Sequence, residues 1–174
     1  MLRFFPLFIG IFVFALDFFS KFFTNMYLPV MHRYAFWYPY GGIGVFKDFF
    51  GIEFSLSHQI NYGAAWGMFS DYQIHLMYFR IFLLIALIIY AFFFNKHAGW
   101  RIPLTLIIVG ALGNVVDFFI YGHVVDMLHF VLWGYDFPVF NIADSAIFLG
   151  ITSLILLSAF EKDSPSKNRS RNNN

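Results

Sequence analysis

Two aspartates, Asp126 and Asp144, have the residue type and the placement that best suit chemistry. Asp126 follows the third long apolar stretch of the chain, and Asp144 lies about one helical turn into the fourth. Antiparallel helices over these stretches would bring both carboxyl groups to the same depth. Two carboxylates in a poorly solvated site cannot both ionise cheaply, so one keeps a proton. One group can then accept a proton from water while the other donates to a carbonyl, which predicts hydrolysis of an aspartic-peptidase type.

Two further acids, Asp17 and Asp117, also fall inside apolar stretches. Inserting an ionisable group into a span costs at least about 2.5–3.5 kcal/mol, so each must face a partner, a cavity or a site. Asp17 and Lys21 are four residues apart and share a helix face, which indicates a neutralising ion pair. Asp117 follows Gly113 and Asn114, and this combination of close approach and amide hydrogen bonding indicates a polar contact between the third and fourth spans. A direct role in chemistry stays open for both acids.

The elements that must hold these residues are membrane spans. The chain has 174 residues, of which 60% are hydrophobic and 12% charged, whereas soluble domains carry about 25% charged residues. A helix that crosses the hydrocarbon core needs about 20 apolar residues. Four stretches have that character, at about residues 4–28, 74–94, 102–121 and 140–160. We therefore predict an all-α integral membrane protein with four transmembrane helices and a small β-rich extracytoplasmic loop region, since residues 41–56 have a turn-and-strand pattern.

Lys and Arg indicate the orientation of these spans, because they are enriched in cytoplasmic loops. Most of them fall on one side of the four-span arrangement, namely Arg3, Lys96, Arg101, Lys162, Lys167, Arg169 and Arg171. Both termini are therefore predicted to be cytoplasmic, and the loops 29–73 and 122–139 to face outward. We predict one membrane-embedded domain over residues 1–160 and a disordered cytoplasmic tail over residues 161–174.

Composition limits the other possibilities. The chain has no Cys, which excludes disulfides, thiolate zinc sites and cysteine nucleophiles. The net charge of +1, without a basic patch in the body of the chain, argues against a nucleic-acid partner. We expect a monomer in contact with membrane lipid.

Two alternative functions remain open. His123, Asp126 and His129 are three residues apart, and on a helix they would share a face suited to zinc or iron, as in a metal-dependent membrane hydrolase. Buried ionisable residues also occur in ion or proton relays, and here such a relay would consist of Asp17, Lys21, Asp117 and Asp144. A relay should distribute such groups through the depth of the bilayer, whereas here they concentrate in the predicted outer half.

A more specific pattern surrounds the acids. It consists of Asp17 with Lys21, then NYGAAWG at 61–67, GALGNVVD at 110–117, GHVVD at 122–126 and FNIADS at 140–145. In order and spacing, from Asp17 to about Gly150, these segments closely resemble the lipoprotein signal peptidases (signal peptidase II). The resemblance implies four transmembrane helices, cytoplasmic termini and a catalytic aspartate pair near the outer face of the bacterial inner membrane. It also implies an enzyme without metal or organic cofactor, which cuts diacylglyceryl-modified prolipoproteins just before the lipidated cysteine.

The resemblance also implies roles for individual residues. By motif, the catalytic positions are Asp126 and Asp144. Supporting or substrate-binding positions are Asn61, Gly63, Asn114, Asn141, Asp117, Asp17 and Lys21. The chain departs from the family pattern at Phe118, where Arg is usual, and at Met127, where Phe is common. Neither departure affects the aspartate pair.

Overall fold

The structure is a computed structural model that describes residues 4–31, 37–63 and 70–162. Four of its helical segments are long and apolar enough to cross a membrane. The helices are α1 (Phe5–Tyr27), α2 (Gln73–Ile89), α3 (Arg101–Tyr121) and α4 (Ile142–Lys162). The second span continues from α2 through a π-helical segment, Tyr90–Phe94. The four predicted spans are thus present, and the end of the predicted tail, residues 163–174, lies outside the described residues.

A four-stranded antiparallel sheet accompanies the helices, in the order β1-β2-β3-β4. Its strands are β1 (Ile43–Phe49), β2 (Ile52–Asn61), β3 (Val124–Leu132) and β4 (Tyr135–Asp136). The predicted small β-rich region is therefore present in β1 and β2, but the all-α class is wrong in part, because the fold contains this sheet. The segment between α3 and α4, expected as a short loop, contains two of the strands, because β3 pairs along nearly the whole of β2 and satisfies its backbone hydrogen bonds.

The register of β2 and β3 brings two site residues together. Asn61 faces Val124, and Gln59 faces Asp126, so Asn61 and Asp126 are diagonal neighbours across the strand pair. An irregularity in the pairing precedes this stretch, between Leu56 and Gln59. The end of the sheet nearest α3 therefore presents Asp126 and Asn61 side by side.

Glycines allow α3 and α4 to approach closely. A Cβ atom on Gly110 would collide with the carbonyl oxygen of Ala143 on α4. On α4, a Cβ on Gly150 would lie 2.7 Å from the carbonyl oxygen of Pro103. Such contacts are typical of helix pairs in membranes, where small residues let backbones meet. The first turn of α4 is consequently held against the middle of α3.

Polar groups occupy the centre of the molecule and large apolar groups its surface. Lys21 and Asn141 are fully buried, while Phe8 and Phe148 on helices α1 and α4 are each 67% exposed. A protein in water would have the opposite arrangement. Lipid is the surrounding that suits such an exterior, and the buried polar centre is where the aspartates lie.

Candidate active site

Asp126 and Asp144 come from different elements and share neighbours. Asp126 lies near the start of β3, where it is 2% exposed. Its Oδ1 accepts a hydrogen bond from Asn141 Nδ2 at 2.7 Å, and its Oδ2 accepts one from Asn61 Nδ2 at 2.9 Å. Asp144 lies in the first turn of α4, and its Oδ1 accepts a hydrogen bond from Asn114 Nδ2 at 2.8 Å. Each carboxyl group is therefore held by amide donors from other elements.

Asn141 connects the two aspartates. It directly precedes α4, and its Oδ1 accepts a hydrogen bond from the Asp144 backbone N–H at 2.8 Å. In return, Asp144 Oδ2 accepts one from the Asn141 backbone N–H at 3.3 Å. This reciprocal arrangement has the geometry of a capping box, with Asn, a preferred N-cap residue, in the capping position. The same side chain donates to Asp126, so the cap of α4 fixes one carboxyl group relative to the other.

Lys21 binds two further acids next to this pair. Its Nζ lies 2.8 Å from Asp17 Oδ2 and 2.8 Å from Asp117 Oδ2, and it donates to Asn114 Oδ1 at 3.0 Å. An ammonium group has three donors, and these three contacts use all of them. Because Asn114 in turn donates to Asp144, the cluster connects α1 to the aspartate pair through α3.

The two acids on Lys21 hold the backbone next to the aspartate pair. Asp17 Oδ1 accepts a hydrogen bond from the backbone N–H of Ala143 at 2.7 Å, and Ala143 directly precedes Asp144. Asp117 Oδ2 accepts one from the backbone N–H of Val125 at 3.3 Å, and Val125 directly precedes Asp126. The structure thus contains the ion pair expected of Asp17. The polar contact between α3 and α4 that was expected of Asp117 is made instead by Asn114, which donates to Asp144, while Asp117 contacts β3 and Lys21 on α1.

The Asn61 motif is described in part. Asn61 Oδ1 accepts a hydrogen bond from the Gly63 backbone N–H at 2.9 Å, which closes a small turn after β2. The following residues of the motif, 64–67, lie outside the described residues. Within the turn, Asn61 has its oxygen on Gly63 and its nitrogen on Asp126, so the turn decides which end of the amide faces the carboxyl group.

The surroundings of Asp126 disfavour its charge. Burial is the main cause, and the nearby negative charge of Asp144 adds to it, so the pKa of Asp126 is raised from 3.8 to about 7. Hydrogen bonds from Asn61 and Asn141, together with the charge of Lys21, act in the opposite direction. Asp126 can therefore hold or release a proton near neutral pH.

The metal alternative does not have the geometry on which it depended. His129 and Asp126 lie on a strand, not on a helix. Asp126 contacts two asparagines, whereas His129 Nε2 lies 2.8 Å from Asp136 Oδ1 and its Nδ1 lies 3.3 Å from Ser57 Oγ. Within residues 4–31, 37–63 and 70–162, no group of three or more His, Cys, Asp and Glu side chains is placed to hold a metal ion.

One neighbour of the site had no predicted role. Arg80 on α2 donates from Nη2 to the Gly63 carbonyl oxygen at 2.7 Å and lies within electrostatic range of Asp126 and Asp144. The sequence signal for Arg80 is a single charge inside the apolar stretch 74–94.

The two departures from the family pattern lie in different surroundings. Phe118 is half-buried, and Met127 lies in the core.

Comparison with solved structures places this architecture among bacterial membrane enzymes. One such enzyme, 28% identical in sequence, superposes with a TM-score of 0.76 over 92% of this chain and 92% of its own. A second structure, also 28% identical, gives a TM-score of 0.70 over 91% of this chain and 94% of its own. The fold is therefore that of a polytopic membrane enzyme.

Comparison of sequences identifies one family within the bacterial membrane enzymes. Residues 9–160 match the family model described as signal peptidase (SPase) II, and the chain belongs to this family. A lipoprotein signal peptidase from Chlamydia muridarum is 41% identical over 113 residues, covering 64% of this chain and 68% of its own. One from Chlamydia trachomatis serovar D is 39% identical over 135 residues, covering 76% and 77%. One from Staphylococcus aureus strain JH9 is 39% identical over 115 residues, covering 64% and 67%.

These matches confirm the family that the motifs indicated. Membership makes the chain a peptidase of the lipoprotein-processing class, and its four apolar helices agree with a bacterial membrane location.

Proposed function

We propose that this protein is an aspartic endopeptidase that removes the signal peptide from diacylglyceryl-modified prolipoproteins, with Asp126 and Asp144 as its catalytic pair. The observation that carries the proposal is that Asn141 contacts both aspartates. Its side-chain nitrogen donates to Asp126, its side-chain oxygen accepts from the Asp144 backbone N–H, and its own backbone N–H donates to the Asp144 carboxyl group. Two carboxyl groups held in this way, one with a pKa near neutrality, suit general acid–base catalysis.

The raised pKa supports Asp126 as the group that holds the shared proton. In the first step, water attacks the scissile carbonyl carbon, Asp144 takes a proton from that water, and Asp126 donates its proton to the carbonyl oxygen. In the second step, a hydroxyl of the tetrahedral diol returns a proton to Asp126, Asp144 gives its proton to the amide nitrogen, and the carbon–nitrogen bond breaks. The products are a carboxylic acid and an amine, which become a carboxylate and an ammonium at neutral pH, and the pair again holds one proton. Water is the only reactant besides the peptide.

The family and the apolar exterior both support the proposed substrate class. The diacylglyceryl group carries two acyl chains, and each buried CH₂ contributes about 0.8 kcal/mol to membrane association. The exposed aromatic side chains on the helices suit a substrate that reaches the site from the lipid phase. The cut lies just before the lipidated cysteine, where peptide and acyl chains meet. Asn61 and Asn141 are the side chains next to Asp126 that can also hold an extended peptide backbone.

Location and assembly complete the proposal. The enzyme lies in the bacterial inner membrane with both termini in the cytoplasm. The Lys and Arg distribution supports a position of the sheet, and with it the aspartate pair, near the outer face. It acts as a monomer surrounded by membrane lipid, without metal or organic cofactor.

A cleavage assay in detergent or nanodiscs tests the function directly. Wild-type protein should release the signal peptide from a prolipoprotein that carries the diacylglyceryl cysteine, and should cut the same precursor without the lipid far more slowly. Asp126→Asn and Asp144→Asn should each abolish cleavage, since acid and base roles need both carboxyl groups, while the variants keep a wild-type unfolding transition. Substantial cleavage by either variant would refute the catalytic assignment, and equal rates on the two substrates would refute recognition of the lipid.

A further inference from the structure

Arg80 introduces a permanent charge into the apolar helix α2. Its side chain is half-buried, and Arg stays protonated under all ordinary conditions. A charged side chain within a membrane span is costly, so it faces a partner, a cavity or a site. Among the described residues, the guanidinium makes one hydrogen bond, to the Gly63 carbonyl oxygen at 2.7 Å. A guanidinium has five N–H donors, so this bond uses a small part of what the group offers.

The carbonyl group that Arg80 binds is that of Gly63, in the turn that contacts Asp126 through Asn61. Gly63 donates its N–H to Asn61 Oδ1 at 2.9 Å, and Asn61 Nδ2 donates to Asp126 Oδ2 at 2.9 Å. Three successive hydrogen bonds therefore lead from α2 to the carboxyl group. Because the Asn61 amide must keep its oxygen on Gly63 to offer its nitrogen to Asp126, an anchor on Gly63 also fixes the orientation of that amide.

The charge of Arg80 also acts on the pair. The guanidinium lies within electrostatic range of Asp126 and Asp144. The main charged groups that act on the pKa of Asp126 are Asp144 on α4, which raises it, and Lys21 on α1, which lowers it. Lys21 is already paired with two carboxylates, so its net effect on the pair is reduced. Arg80 forms no ion pair within 4.0 Å among the described residues, and none of them neutralises its charge directly.

We propose that Arg80 is a positioning residue for the aspartate pair, holding the turn at Asn61 and Gly63 against Asp126 and favouring the singly ionised pair through its charge. This inference rests on the proposed function of Asp126 and Asp144. It assigns α2, which contributes no aspartate to the site, a part in the reaction. Loss of the cation makes ionisation of the pair harder, so the acidic limb of the activity profile moves to higher pH.

Three substitutions separate charge from hydrogen bonding. Arg80→Lys keeps the charge and a donor, Arg80→Gln keeps a neutral donor, and Arg80→Met keeps neither. Phe82→Met, which changes a side chain 65% exposed on the same helix, is the matched control. For each variant, kcat and KM on a lipidated prolipoprotein are measured across pH together with the unfolding temperature, and Asp126→Asn is included in the series.

Arg80→Met should lower kcat by on the order of a hundredfold, the usual cost of a small misplacement of catalytic groups. Its acidic limb, and that of Arg80→Gln, should move to higher pH, while Arg80→Lys recovers the wild-type limb and Phe82→Met does not differ from wild type. A wild-type kcat and pH profile in Arg80→Met would overturn the inference, as would an equal loss in all three Arg80 variants with an unmoved limb. Activity in Asp126→Asn would instead refute the proposed function, so the two failures are distinguishable.

Discussion

At the scale of single residues, the site depends on side-chain amides placed between carboxyl groups. The Asn141 side chain accepts a hydrogen bond from the first turn of α4 through its oxygen and donates one to Asp126 through its nitrogen. A carboxylate can only accept and an ammonium group can only donate, so neither could make both contacts. Asn114 has the same double contact, accepting from Lys21 and donating to Asp144. Neutral amides thus lie between the charged groups, and this arrangement suits the proton sharing proposed for the pair.

A substitution series at Asn141 tests this view. Asn141→Ser keeps a good N-cap but removes the donor to Asp126, so we expect cleavage to fall on the order of a hundredfold with little loss of stability. Asn141→Ala removes both contacts and should in addition lower the free energy of unfolding by about 1 kcal/mol. Cleavage rates and denaturation curves for both variants provide the comparison. Full activity in Asn141→Ser would contradict a role of the amide in placing Asp126.

At the scale of elements, α1 and α3 support the two elements that contain the aspartates. Asp17 on α1 binds the backbone next to Asp144, and Asp117 on α3 binds the backbone next to Asp126. Lys21 connects the two acids. The arrangement requires α3 and α4 to be close, and the contact of Gly110 with the Ala143 backbone achieves this.

Glycine substitutions test whether the close approach of α3 and α4 is required. Gly110→Ala should push α3 and α4 apart, because the added Cβ meets the Ala143 carbonyl oxygen, and backbone atoms have no alternative rotamer. We expect cleavage to fall on the order of a hundredfold as Asp144 moves relative to Asp126. Gly99→Ala is the control, since a Cβ there has no neighbour within 4 Å. Equal activity in the two variants would show that the helix spacing is not critical.

At the scale of the whole molecule, an apolar exterior encloses a polar interior, and the sheet lies at one end of the helices. The chain passes from the end of α3 through strands β3 and β4 to the start of α4. The aspartate pair therefore lies where the sheet and the helices meet. A site in this position suits the proposed substrate, which is partly peptide and partly lipid. Whether that end faces outward depends on the distribution of Lys and Arg.

Reporter fusions measure this orientation. Fusions at Lys96 and at the C-terminus should report a cytoplasmic location, and a fusion in the turn at Gly51 should report an external one. The reason is the concentration of Lys and Arg at the ends of the spans opposite the sheet. Intact cleavage by each fusion protein provides the control for correct insertion. An external C-terminus would reverse the topology and move the aspartate pair to the cytoplasmic face.

The sequence by itself determined the spans and the important residue types. Four apolar stretches are long enough to cross a membrane whatever their partners, because each helix satisfies its own backbone hydrogen bonds in lipid. The motifs around Asp126 and Asp144 likewise indicate the family through the order and spacing of their residues alone. The pairing of Asp17 with Lys21 is a local feature, four residues apart on one helix, and was predictable for that reason.

The tertiary structure alone decided how these residues meet. Lys21 reaches Asn114 across 93 residues of sequence, and Asp17 reaches Ala143 across 126. Periodicity could not predict these contacts, nor the hydrogen bond from Arg80 to Gly63, because it reports which residues share a face of one element and not which elements pack together. It also missed strand β3, whose hydrogen-bond partners lie in β2, far earlier in the chain. The chemistry proposed for the aspartate pair depends on these distant contacts, since they place and orient both carboxyl groups.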